Sequence, residues 1–201
     1  MSELTVLQAV RLKGRVSEAD LAATVDENPA DVAAALAQLT AVGLLVQGKT
    51  LRISPEGRER LNSLLAEERS GVDQNVLATS YDDFRAVNNA FKALVSDWQI
   101  KDGQPNSHDD TEYDAAVLNR LDNVHQQVLP VITTVTTLLP RLSAYAKKLN
   151  SALAKVKSGE TTWLARPIID SYHTVWFELH EELIAASGLT REEEETAGHA
   201  S

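Results

Sequence analysis

Apolar residues recur along this chain with two periods, and the change from one to the other marks out its elements. Leu4, Val6, Leu7, Val10 and Leu12 predict a short helix that stops at Gly14. Ser17, with Asp20 three residues on, has the spacing of a capping box, so a second helix starts there with Leu21 and Val25 on its buried face. Asn28-Pro29 suits an N-cap followed by the first helical position, and a third helix is expected from Pro29 to about Val42. Its buried stripe is Val32, Leu36 and Leu39, with Ala35 and Val42 beside it, and Gly43 ends it. Beyond Gly43 the period shortens to about two. Leu44-Leu45-Val46-Gln47, a Gly48-Lys49 turn and Thr50-Leu51-Arg52-Ile53 predict a β-hairpin, and Ser54-Pro55-Glu56-Gly57 opens a fourth helix through Leu61, Leu64 and Leu65.

The rest of the chain is helical by the same test. Tyr81, Phe84, Asn88, Phe91, Val95 and Trp98 form one stripe of a helix ending near Gln99. Residues 100–112 are polar, with Gly103 and Pro105 as breakers, and predict a loop. A further helix carries Tyr113, Val117, Leu121, Val124 and Val128, while Pro130 and Pro140 are expected to bend or interrupt the path. Val131-Ile132-Thr133-Thr134-Val135-Thr136-Thr137 is poor helix material by propensity, yet helix remains the reading. Leu142, Tyr145, Leu149, Leu153 and Val156 predict another helix, and a last one runs from Ile168 to Ala186, closed by Gly188. The acidic residues 191–201 are expected to be a frayed, solvated tail.

The order helix, helix, helix, hairpin, helix over residues 1–70 is that of a winged helix-turn-helix. The expected fold is therefore mainly α: an N-terminal winged helix-turn-helix with a small β-hairpin wing, then a C-terminal bundle of about four long helices over 71–190. Residues 5–66 resemble the winged-helix domains of MarR-type and related bacterial regulators, most clearly in Leu44-Leu45 and Leu51-Arg52-Ile53-Ser54-Pro55-Glu56-Gly57. That resemblance implies the winged-helix fold of a regulator and says little about the ligand. A second resemblance, in FKALVSDWQ, NSHDDTEYDAAVLNRL and DSYHTVWFELHEEL, links residues 81–185 to actinobacterial modules associated with pyruvate phosphate dikinase-like enzymes. It implies an accessory or regulatory module and carries no catalytic residues.

Charge complicates the DNA reading. The 201 residues carry a formal charge of −10, with 8 Lys/Arg against 10 Asp/Glu in residues 1–70 and 11 against 19 in the remainder. Neither half is basic, so any DNA surface must gather its few cations on one side. In such domains the third helix enters the major groove. Here its outward face offers Ala30, Asp31, Ala33, Ala34, Ala37, Gln38 and Ala41, with no Lys or Arg between Arg15 and Lys49. Asn28 and Gln38 are the candidates for base edges, and the wing residues Lys49 and Arg52 for phosphate. The same small-residue face also suits docking on a protein.

Chemistry is sparse. His173 and His180 lie two turns apart on one helix, about 10 Å along the axis, too far to share a metal without ligands from elsewhere. His125 and the loop group His108, Asp109 and Asp110 are the only candidates to complete such a site, and packed polar core is the simpler reading. Trp98, Tyr113, His173 and Trp176 are the candidate lining of a small-molecule pocket. No nucleophile elbow, phosphate loop, dinucleotide fingerprint or zinc-peptidase spacing occurs, so neither enzyme activity nor a metal or cofactor is expected. No stretch approaches a membrane span, no secretory start opens the chain and cysteine is absent, which leads to the expectation of a cytoplasmic protein, and helices as long as those of the bundle often pair between subunits, so a homodimer is expected. Its leading role is transcriptional regulator, the helical bundle dimerising or sensing a ligand. The alternative is a protein-interaction module, a partner of a pyruvate phosphate dikinase-like enzyme.

Overall fold

The computed structural model describes residues 1–196, apart from the side chain of Glu195. The chain is mainly helical with two small antiparallel strand pairs, and it divides into two compact units, the first being Met1–Gly71.

The first unit contains α1 (Glu3–Lys13), α2 (Glu18–Val25), α3 (Pro29–Ala41), strands β1 (Leu45–Gln47) and β2 (Leu51–Ile53), and α4 (Pro55–Ser70). Every helix starts on a side-chain oxygen that accepts from an otherwise unpaired backbone N–H: Ser2 from Thr5, Ser17 from Asp20, Asn28 from Ala30 and Ser54 from Gly57. Such caps fix where each helix begins, and the buried faces then meet. Val6, Leu7 and Val10 of α1, Leu21 of α2, Val32 and Leu36 of α3, and Leu61 of α4 close over Leu45 and Leu51 of the hairpin. Leu45 pairs with Ile53 and Gln47 with Leu51. A bridge between Val16 and Leu51, bonded in both directions at 2.8 and 3.4 Å, lays the segment before α2 along the outer edge of β2. Val42, expected beside the buried stripe, is instead 64% exposed. It caps α3 a quarter turn or so off the stripe, and Gly43, at φ +80°, turns the chain away.

Ser54 and Gly57 join the hairpin to α4. The Ser54 hydroxyl donates to the Gly43 carbonyl at 2.7 Å while accepting from Gly57 N–H at 2.9 Å. Gly57 is thereby held against the Leu44 carbonyl, where a Cβ would lie 2.1 Å from that oxygen. Gly57→Ala should destabilise the first unit by about 2–4 kcal/mol, because the contact is with backbone and cannot yield by a rotamer change. All three tryptophans lie beyond residue 71, so amide hydrogen exchange within residues 1–71 is the measurement. Unchanged protection there contradicts the packing argument.

From Val72 onward the second unit holds α5 (Gln74–Gln99), β3 (Ile100–Lys101), β4 (Gln104–Pro105), α6 (Thr111–Leu138), α7 (Ala144–Lys157), α8 (Tyr172–Ser187) and α9 (Arg191–Thr196). Helix α5 packs on α6 and α8, and α7 on the same two, so four long helices surround one core. The polar stretch read as loop contains the short β3–β4 pair, turned at Asp102-Gly103 with both residues at positive φ. Pro130 does not interrupt α6. It is exposed, so the Gln126 carbonyl that it leaves without an N–H partner faces water. The β-branched run is helical because Val131, Ile132 and Val135 are buried, while the Thr133, Thr134 and Thr136 hydroxyls bond carbonyls four residues back. Pro140 does end the helix, with Leu139 before it driven to φ −127°.

Two expectations near the C-terminus are corrected. The last long helix starts at Tyr172, not Ile168: Ile168 is fully exposed at φ +76°, and Ser171 supplies the cap by accepting from Thr174 N–H. Residues 191–196 form α9, and Glu194 within it is buried, held by Tyr81 and Arg85 of α5. Residues 197–201, the rest of the expected solvated tail, lie outside the described residues.

Candidate functional site

On the first unit, the outward positions of α3 are those expected from its period: Ala30, Asp31, Ala34, Ala37, Gln38 and Ala41 are exposed, and Ala33 is half-buried. Asn28 is exposed, but its side-chain oxygen is committed to the cap at 2.9 Å from Ala30 N, which leaves its amide donors to face outward. Lys49 and Arg52 are exposed on the hairpin.

Arg15 is the residue that sequence reasoning missed there. Because Val16 bridges Leu51 in antiparallel register, Arg15 and Arg52 come opposite each other, on the face away from the buried pair Val16 and Leu51. Like charges directly opposite are unfavourable unless an anion lies over them. Elsewhere on the unit Arg60 grips the Glu3 carboxylate through two bonds of 2.9 and 3.0 Å. Arg15, Lys49 and Arg52 have no carboxylate partner among the described residues. A single bridging residue leaves no periodicity in the sequence, which is why the pairing was not legible there.

In the second unit the four candidate pocket residues separate into two places. Trp98 packs on His108 with ring centroids 4.3 Å apart, and Tyr113 donates its hydroxyl to the Asp97 carbonyl at 2.9 Å with the Lys101 ammonium over its ring. His173 and Trp176, by contrast, line a cleft of about 440 Å³ between α5 and α8, together with Phe91, Val95, Phe177 and His180. Phe91 and Trp176 form its aromatic wall at 4.4 Å between ring centroids. Phe177 and Ile100 lie at its exposed edge.

The histidines differ in what holds them. His125 sits between the Tyr172 hydroxyl at 3.1 Å from Nδ1 and the Asn150 oxygen at 3.0 Å from Nε2. Asn150 donates its amide to the Ala146 carbonyl, so its oxygen faces the ring, and Nε2 must carry the proton while Nδ1 accepts from Tyr172. His180 Nε2 lies 3.1 Å from the Tyr81 hydroxyl, which donates to Glu194 at 2.6 Å; the ring nitrogen therefore donates to the tyrosine oxygen. His108 is 2.9 Å from the Asp114 carboxylate. His173 makes no side-chain hydrogen bond to any described residue, and its ring lies 6.0 Å from that of Phe91. Burial lowers the pKa of His173, and that of His180 to about 4, with the Arg191 guanidinium adding to the effect on the latter.

Across α8 a second polar group is buried. Glu182 takes the Arg141 guanidinium at 2.5 Å and lies 3.4 Å from the Tyr145 hydroxyl, while the Lys148 ammonium lies 3.5 Å from Asp170 and 3.9 Å from Glu178. Burial, then Glu182, pushes the Tyr145 hydroxyl well above its ordinary pKa, so it stays a donor. These charges are mutually satisfied and hold α7 to α8. No group of three or more metal-binding side chains occurs among the described residues, and no described helix is long and apolar enough to cross a membrane.

His180 makes stability depend on pH. Folding lowers its pKa from about 6.5 to about 4, so between those values the unfolded chain binds a proton that the folded chain does not. Stability therefore falls as pH drops through this window, and the contribution saturates below it. Urea unfolding at pH 7.5 and pH 5 should show a decline that His180→Gln reduces by roughly 1–2 kcal/mol. An equal decline in both proteins contradicts the assignment.

Comparison of the chain with known protein families, with curated proteins and with solved structures finds no match.

Proposed function

We propose that this protein is a non-enzymatic transcriptional regulator in which residues 1–71 are a winged helix that holds DNA mainly by its backbone, and the helical bundle from Val72 onward dimerises or senses a ligand. The observation that carries this reading is the pair Arg15 and Arg52, opposite each other across the Val16–Leu51 bridge, with Lys49 in the hairpin turn, all exposed and without carboxylate partners among the described residues. Two facing guanidiniums repel each other and are relieved by phosphate, two of whose oxygens accept the fork-like pair of N–H bonds from a guanidinium. Gln38 and the Asn28 amide are left to touch base edges from α3, a small set that favours modest sequence selectivity. Binding of the full chain to short duplexes should be detectable at 50 mM salt and weaken with a log–log salt slope of about −3, one counterion release for each of the three cations. The double substitution Arg15→Gln and Arg52→Gln should bring that slope to about −1. No binding at 50 mM salt, or an unchanged slope, overturns the reading.

A second reading has its own support. The α3 face is nearly all alanine, and beside it Val42 is 64% and Val46 44% exposed, an apolar margin that a DNA surface does not need. On that reading the first unit docks on a protein, and the resemblance of residues 81–185 makes a pyruvate phosphate dikinase-like enzyme the first partner to try. Ala37→Glu puts a charge at the centre of the face and is expected to weaken capture of that enzyme by tenfold or more, with DNA binding measured in parallel. Equal capture by both proteins removes the support of this face for the reading.

A further inference from the structure

We infer that the cleft between α5 and α8 binds an uncharged planar ring compound, which lies against Phe177 and Ile100 and donates an N–H or O–H to His173. The inference deepens the reading of the helical unit as a sensor, and it is independent of what the first unit binds.

Three observations carry it. The cleft has a volume of about 440 Å³, within the range that small-molecule sites occupy, and its polar groups are few and at defined positions. Its wall is aromatic: Phe91 and Trp176 are 4.4 Å apart by ring centroid, both are buried, and Phe177 stands at the edge 37% exposed. Phe91 and Trp176 form the floor, covered by their neighbours, and the apolar area open to a flat molecule is that of Phe177 and Ile100 above it. Third, His173 alone among the described histidines has a ring without a hydrogen bond. The His173 ring is half-buried with its nitrogens open to the cleft, so its hydrogen-bonding capacity is free for a ligand that displaces water from it.

The chemistry of the ligand follows from the same groups. His173 is neutral at physiological pH, because burial lowers its pKa, and a neutral imidazole always presents one nitrogen lone pair. A hydrogen-bond donor complements that lone pair, and the ring N–H is left to water. An anion is disfavoured because no cation in the cleft is uncommitted: Lys92 already has an interaction of its own, and residues 71–201 carry 19 acidic against 11 basic side chains. A metal ion is disfavoured because His180, the other histidine in the cleft, lies about two helical turns, or roughly 10 Å, from His173. His180 is in addition tied through Tyr81 to Glu194 of α9, so the far end of the cleft abuts the contact that holds that helix.

Three probes with one ring system separate these terms: indole, 1-methylindole, which lacks the donor, and indole-3-carboxylate, which adds a charge. Titrated into the full chain without DNA, with the His173 ring nitrogens followed by NMR and affinity by calorimetry, indole is expected to bind saturably and to shift the His173 resonances. 1-Methylindole should bind about fivefold more weakly, the worth of one net hydrogen bond. Indole-3-carboxylate should bind more weakly than indole. In His173→Phe, which keeps an apolar ring at this position, the advantage of indole over 1-methylindole should vanish. Ser96, exposed at the rim, provides a variant outside the core: Ser96→Trp should obstruct the cleft and abolish binding of all three. Absence of saturable binding up to millimolar probe, an indole advantage that survives His173→Phe, binding that survives Ser96→Trp, or tighter binding of the carboxylate each overturns the inference. Because no DNA is present, failure here and failure of the DNA reading are separate results.

Discussion

The register of α8 on α5 is set by one side chain. Trp176 is inserted between Phe84 and Phe91, at 5.2 and 4.4 Å by ring centroid, and its buried indole N–H donates to Asn88 at 2.8 Å. Apolar stacking alone tolerates sliding, but a buried donor left unpaired by a shift of one turn costs its full desolvation. The indole therefore locks the two helices at one setting. From that setting follow the position of His173 beside Phe91, one turn before Trp176, and that of His180 beside Tyr81, one turn after it. The cleft, the His180–Tyr81 contact and, through Glu194, the docking of α9 all depend on this single insertion.

The first unit is organised on the same principle with smaller parts. Ser54 uses its one hydroxyl twice, as donor to the Gly43 carbonyl and as cap acceptor for Gly57 N–H, which fixes the hairpin on the start of α4. The hairpin in turn offers β2 to Val16, and this one bridge brings Arg15 opposite Arg52. Two arginines far apart in the chain thus come to face each other without any basic run in the sequence.

Most of the helices were legible in the sequence because their signals are local. The oxygen side chains of Ser17, Asn28 and Ser54 mark starts, Gly43 and Gly188 mark ends, and the stripe from Tyr81 to Trp98 is the buried face of α5. Where local signals conflicted, burial decided. The valine, isoleucine and threonine run of α6 is helical against its propensity because half of it faces the core and its hydroxyls bond within the helix. Two of the misread pieces, Ile168 as helix and Glu194 as solvated, turned on partners distant in the chain or on a stronger cap nearby.

The sites divide along the same line. The sequence alone determined which residues are outward on α3, that Lys49 and Arg52 belong to a hairpin, and that His173, Trp176 and His180 share one helix, since all of these follow from periods of 3.6 and 2. Only the tertiary structure decided that Arg15 joins Arg52, that Trp98 and Tyr113 stand apart from Trp176, and that His173 is left without a hydrogen bond while His125 and His180 have partners. The physical reason is that periodicity fixes the direction a side chain takes from its own element. What it meets there is set by the packing of elements far away in the chain.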